Sequence, residues 1–118
     1  MNDKELSRGD IVLVDFGKEK GSEQSFERPA VVISNDYCNA YSNVVVVCPL
    51  TSSKKYHVPY QFKIFRRVGE GFLSGCSTIL CEQIRSIDKT RIIDFNIDKL
   101  TYWELRRLED TLRFQLDL

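Results

Sequence analysis

Apolar and polar positions along this chain change period once. Through residue 93 the apolar residues come in short runs, and from Thr101 onward they recur every three or four positions. Residues 11–16 (IVLVDF) follow the turn-like Arg8-Gly9-Asp10 and predict a strand buried on most of both faces. Residues 30–34 (AVVIS) predict a second strand, closed by the turn formers Asn35 and Asp36. Pro29 opens that strand at its first position, where a missing N–H costs little. Residues 43–49 (NVVVVCP) predict a third, and four consecutive valines argue for the centre of a sheet. Residues 60–65 alternate as a half-exposed strand does, and Gly69, Gly71 and Gly75 punctuate the turns that follow. Residues 77–87 predict one further strand, turned by Asp88 and Lys89, with a short last strand over 91–93.

The C-terminal segment reads differently. Leu105, Leu108, Leu112 and Leu116 form one helical stripe, and Thr101 with Glu104 fits a capping box at the helix start. Trp103 is expected to pack that helix onto the sheet. There is no internal repeat and no low-complexity segment. Many short strands followed by one helix imply a mainly β fold with α: a small, strongly curved antiparallel sheet or barrel with a helix against it.

Composition narrows this picture. With 118 residues the chain is expected to form one domain over 1–118. Lysine plus arginine equals aspartate plus glutamate, 17 each, so any nucleic-acid role rests on a local patch and not on the whole-chain field. The first ten residues, MNDKELSRGD, lack the apolar stretch of a signal peptide, and no apolar run approaches the ~18 residues of a membrane span. The expectation is a cytoplasmic protein without a membrane partner. Cys38, Cys48, Cys76 and Cys81 include no CxxC pair, and a single histidine cannot complete a Cys2His2 set. The expectation is therefore no metal and no cofactor, with the cysteines as small, buried, reduced thiols.

Three features carry candidate chemistry. Arg28 stands at the mouth of the second strand, behind Glu23 and Gln24. It is either a surface ion-pair partner of Glu27 or Glu23, or an anion site, since guanidinium offers phosphate a planar fork of donors and keeps its charge at neutral pH. Thr51 follows the valine strand in CPLTSS, as a turn former or as a donor to a phosphate oxygen. Residues 54–67 (KKYHVPYQFKIFRR) interleave Lys54, Lys55, Lys63, Arg66 and Arg67 with Tyr56, Tyr60, Phe62 and Phe65. Cations that follow a backbone and rings that stack bases are the ingredients of single-strand binding, although a solvated strand face reads the same way.

Four stretches resemble the MazF/PemK-type toxin endoribonucleases, the toxic halves of bacterial toxin–antitoxin pairs. They are RGDIVLVDF (8–16), GSEQ followed by RPAVVISND (21–36), CPLTS (48–52) and CEQIRSIDKTRI (81–92), in the family's order and ahead of a C-terminal helix. The resemblance implies a small SH3-like antiparallel β-barrel with a C-terminal helix, a symmetric homodimer, and metal-independent, sequence-specific cleavage of single-stranded RNA such as mRNA. It places Arg28 and Thr51 on the family's catalytic arginine and threonine. Glu23 falls on an acidic residue implicated in some members, where it either accepts the 2′-OH proton or only positions Arg28. Phe16 and Gln24 fall where the family contacts RNA, and Ser52, Lys54, Lys55 and His57 are expected to extend that contact. A cognate antitoxin is the implied partner: a flexible acidic segment with apolar anchors that competes with RNA.

The chain also departs from its relatives. Some carry a histidine two residues past a proline in this region; here that position is Gln61, and His57 precedes Pro59. Residues 25–27, expected as loop, lack the glycines of many relatives, which implies a stiffer segment and a shifted sequence preference. Two rival functions remain at this stage. One is a toxin of the same fold that binds DNA gyrase and cuts nothing, and the other is an SH3-like binding module.

Overall fold

The computed structural model describes residues 5–18, 25–52, 58–66, 68 and 76–118, with backbone alone at 18, 25, 26 and 52. Along the described chain run β1 (Asp10–Lys18), β2 (Ser25–Val32), α1 (Asp36–Tyr41), β3 (Val44–Ser52), β4 (Gln61–Ile64), β5 (Ser77–Leu80), β6 (Arg85–Asp88), β7 (Ile92–Lys99) and α2 (Tyr102–Leu116).

The valine strand β3 is central, as its composition implies. It pairs β2 along one side. Its other side is shared: β6 takes the first half, from Val44 opposite Asp88 to Val47 opposite Arg85, and β5 takes the second, from Leu50 opposite Ile79 to Ser52 opposite Ser77. β4 extends from β5, while β1 lies between β2 and β7, and every pairing is antiparallel. Among the described residues β4 and β7 are free ends, so the sheet is strongly shared and curved but does not close into a complete barrel.

Alternation along the strands builds two cores. Val12 and Val14 of β1, Ala30 and Val32 of β2, Val45 and Val47 of β3, with Ile87 and Ile92, bury one face. The opposite parity, Ile11, Val31, Cys48, Leu50 and Ile79, meets Leu108 and Leu112 of α2 on the other. α2 is locked at its start by the expected capping box: Thr101 Oγ1 accepts the Glu104 N–H at 3.1 Å, and Glu104 Oε1 accepts the Thr101 N–H at 2.9 Å. Arg66 donates to both oxygens of that same Glu104 at 2.8 Å and holds its carboxyl below the usual carboxylate range. Arg8 joins the far part of the helix to the sheet, donating to the Ile33 carbonyl at 2.9 Å and to Glu109. Replacing Thr101 by alanine is expected to cost about 1 kcal/mol, the usual worth of an N-cap oxygen, read as a lower urea midpoint with an unchanged m-value.

Several local expectations change in three dimensions. The strand expected over 77–87 is two strands separated by a 3₁₀ turn at Cys81–Gln83, because the chain turns a corner to move from the second half of β3 to the first. Apolar periodicity runs through that corner without a break. β7 is eight residues long, not three: Asp94 and Asn96 face solvent beside partly buried Phe95 and Ile97, so its polar face hid it. The turn read at Asn35–Asp36 opens α1, whose N-cap Asn35 accepts the Cys38 N–H at 2.8 Å. Six residues are too few for helical periodicity to register.

Trp103 does not pack α2 onto the sheet. It is 73% exposed, and Leu105, Leu108 and Leu112 make the contact, while Leu116 at the helix end is also open. The cysteines are free, but only Cys48 and Cys81 are buried; Cys76 is partly buried and Cys38 is exposed on α1. The hydrogen bond that the Cys48 thiol shares as donor with Cys81, together with burial, pushes its pKa well up, so it stays protonated. No helix among the described residues is long and apolar enough to cross a membrane.

Candidate active site

The end of β1 is shaped by a bulge. Its pairing with β2 runs regularly to Asp15 opposite Glu27, then slips before Lys18 meets Ser25. Gly17 occupies φ 87°, where a side chain would be strained. Asp15 closes the bulge by accepting the Gly17 N–H at 2.8 Å, and Arg91 donates to the Asp15 carbonyl at 3.1 Å. Bulges commonly re-aim a neighbouring side chain beside functional sites. The side chain here is Phe16, half-buried against the core face of Val12 and Val14. The Arg85 guanidinium, from the start of β6, lies 5.2 Å from the Phe16 ring centroid.

Arg28 is not at a strand mouth. β2 begins at Ser25, so Arg28 lies three residues inside it, opposite Val14 of β1, and residues 25–27 are strand and not loop. Their pairing with β1 supplies the hydrogen bonds that the apolar pattern gives no sign of. Pro29 sits one residue before the β2–β3 ladder begins at Ala30 opposite Pro49, a position where its missing N–H interrupts no ladder to β3. That ladder continues through Val31 opposite Cys48 and Val32 opposite Val47. Carrying the same register two residues the other way brings Arg28 level with Thr51.

Thr51 is half-buried on the last turn of the pleat in β3, opposite Thr78 of β5, and Thr78 is in turn opposite Lys63 of β4. The result is one row across four strands: Arg28, Thr51, Thr78, Lys63. Residues directly opposite in antiparallel strands share a face, so Thr51, Thr78 and Lys63 follow from pairing, and Arg28 joins them where the β2–β3 register is carried beyond its last pair. The hydroxyls of Ser77 and Thr78 are buried, with no hydrogen-bond partner among the described residues. Thr51 therefore stands at the boundary between a closed polar interior and the partly open Arg28.

The other expected site residues fare unequally. Ser52 pairs through its backbone with Ser77. Glu23, Gln24, Lys54, Lys55 and His57 lie outside the described residues. The basic and aromatic tract divides. Arg66 is taken up by Asp98, Glu104 and the Lys99 carbonyl, a structural brace between β7 and α2. Phe62 packs into the core beneath Arg107, while Phe65 is 71% exposed. A groove of about 310 Å³ lies there between β4 and α2, lined by Phe62, Lys63, Phe65 and Arg107. It contains neither Arg28 nor Thr51, and its size does not make it the reacting centre. Arg85, by contrast, sits in the distinctive CEQIR stretch but had no role until the fold brought it to Phe16.

Residues 7–116 match the family described as PemK-like, MazF-like toxin of type II toxin–antitoxin system. The Endoribonuclease MazF of Staphylococcus saprophyticus is 37% identical over 106 residues, covering 89% of this chain and 83% of that protein. This chain belongs to the PemK-like, MazF-like toxin family. The fold agrees. The crystal structure of MazE-MazF (form II) from Deinococcus radiodurans superimposes with a TM-score of 0.78 at 25% identity, over 98% of this toxin and 99% of that chain. An endoribonuclease in complex with its cognate antitoxin from a mycobacterial species shares the fold, with a TM-score of 0.73 at 20% identity over 95% of each chain. The toxin's sheet and C-terminal helix are thus the family's architecture, with the Arg28–Thr51 row built into its central strands.

Proposed function

We propose that this MazF-family toxin endoribonuclease cuts single-stranded RNA, mRNA included, at particular sequences and without a metal ion, by attack of a ribose 2′-OH on the adjacent phosphate. The observation that carries this reading is the β2–β3 register, which, extended two residues past Ala30 opposite Pro49, brings Arg28 level with Thr51. In that reaction the 2′-oxygen bonds to phosphorus as the bond to the 5′-oxygen breaks. Negative charge builds on the phosphoryl oxygens. The Arg28 guanidinium supplies compensating positive charge and two parallel donors, and the Thr51 hydroxyl donates to the same oxygens. Both stand on paired strands, so little reorganisation is needed as the charge develops.

A base must take the 2′-OH proton, and an acid must protonate the departing 5′-oxygen. Glu23 is assigned as that base, with His57 the other candidate for proton transfer. Phe16, Gln24, Ser52, Lys54, Lys55 and His57 are assigned to hold the RNA on either side of the cut. One toxin domain spanning the chain carries these groups. It works as a homodimer in the cytoplasm, held inactive by a cognate antitoxin whose acidic, apolar-anchored segment occupies the same surface. The exposed edge strands and the open Trp103, Phe114 and Leu116 of α2 are surfaces that an assembly would cover.

The test is product chemistry. Cleavage of a long single-stranded RNA is expected to persist in excess chelator. It is expected to leave a 2′,3′-cyclic phosphate on one fragment and a 5′-OH on the other. Fragments carrying a 5′-phosphate, or activity abolished by chelator and restored by a divalent ion, would establish a metal-activated water instead.

A further inference from the structure

Arg85 differs from Arg8, Arg66 and Arg91. Arg8 and Arg66 are committed to carboxylates, and Arg91 donates to the Asp15 carbonyl. Arg85 is exposed and makes one described contact, with the Phe16 ring at 5.2 Å. Among the described residues no carboxylate or carbonyl accepts a hydrogen bond from it. Its guanidinium thus lies over the Phe16 ring at cation–π range, and among the described residues nothing takes up its donors. Phe16 is itself placed by the bulge that Gly17, Asp15 and Arg91 maintain.

The placement matters for RNA. Phe16 lies two residues beyond Val14 on the same face of β1, and Val14 is directly opposite Arg28. Arg85 is opposite Val47 on β3, four residues before Thr51 and on the same face. Two separate strands therefore bring the Phe16–Arg85 pair to the margin of the row that holds Arg28 and Thr51. A guanidinium positioned over an aromatic ring still has a planar surface to offer a base. Unpaired bases stack on arginine planes as they do on aromatic rings.

We propose that Arg85 is a specificity-determining RNA contact: Phe16 positions its guanidinium, and an unpaired base beside the cleaved phosphate stacks on it. Its edge N–H groups then reach the neighbouring phosphate. This inference rests on single-stranded RNA being the ligand, but it concerns binding and base preference and does not require the cleavage mechanism above.

The test uses full-length protein and short random-sequence RNAs with 2′-fluoro in place of the 2′-OH, which cannot be cut by 2′-attack. Affinity, its salt dependence and the sequences retained are compared for wild type, Arg85→Gln and Arg85→Lys. Loss of the stacked base should weaken binding of the preferred sequences roughly tenfold in both variants. Both should relax the preference at one nucleotide position. Arg85→Gln should also lower the salt slope by about 0.7, the contribution of one phosphate contact on a single strand, while Arg85→Lys retains it. Two results would overturn the proposal: wild-type affinity and preference in Arg85→Gln, or wild-type preference in Arg85→Lys, which would reduce Arg85 to a point charge. A protein that binds these RNAs selectively yet leaves ordinary RNA uncut would refute the cleavage reading and leave the Arg85 comparison intact.

Discussion

Arg28→Ala is expected to cut the rate of RNA cleavage by at least ~10²–10³, the usual cost of removing one preorganised donor from a developing oxyanion. Thermal stability should change little, because Arg28 is half-buried on a strand and does not belong to either hydrophobic core. Thr51→Ala is expected to lose less, since a neutral hydroxyl contributes one donor and no net charge. The measurement is single-turnover cleavage of one long RNA with each variant, alongside its melting temperature. Wild-type cleavage by Arg28→Ala would refute the mechanism. Loss of cleavage together with loss of folding would show that Arg28 serves the sheet and not the reaction. A lysine at position 28 should rescue poorly, because a point charge cannot reproduce a fork aimed at two phosphoryl oxygens.

The largest expected effect on stability lies on the opposite face. Leu108 is fully buried where α2 meets the sheet, among Ile11, Val31, Leu50 and Ile79. Truncating it to alanine removes three buried carbons from a site held by strands on one side and a capped helix on the other. That surround cannot readily collapse into the space. The expected cost is about 2–5 kcal/mol, a large part of the roughly 5–15 kcal/mol that holds a small domain folded. Leu116→Ala, on the same sequence stripe but 45% exposed, is expected to cost far less in the single chain. Denaturant unfolding of the two variants separates them, and equal losses would show that the stripe, and not burial, sets the energy.

The contrast between Leu108 and Leu116 shows what periodicity can and cannot reveal. A spacing of three and four marks a helix face, and the helix forms with the cap that Thr101 and Glu104 announce. Where that face stops being covered depends on how far the sheet extends beneath it. Trp103 failed as an expected contact for the same reason: it lies off the stripe, and its size alone was no guide to burial. β7 was underestimated because a strand with a solvated face reads as polar. Residues 25–27 read as a loop leading to a strand mouth because their hydrogen bonds come from β1, which no local pattern reports.

The site divides along similar lines. Arg28 and Thr51 stand out as candidates through the stretches GSEQ…RPAVVISND and CPLTS, which resemble the family that residues 7–116 match. The strands carrying them were legible from β-branched runs. By itself, then, the sequence determined the mainly β order with a final capped helix and the central place of the valine strand, and it singled out Arg28 and Thr51 as the candidate reactive pair. Only the tertiary structure decided that β2 and β3 pair in the register that sets Arg28 level with Thr51. It likewise diverted Arg66 from the basic tract to Glu104 and Asp98, and set Arg85 on Phe16. The physical reason is the range of the interactions. Caps, turns and apolar periodicity act within about four residues, so short stretches of text encode them. Register, corner turns and the partner of a long cation depend on many weak contacts between residues distant in sequence, and these take definite values only when the whole sheet has curved around its two cores.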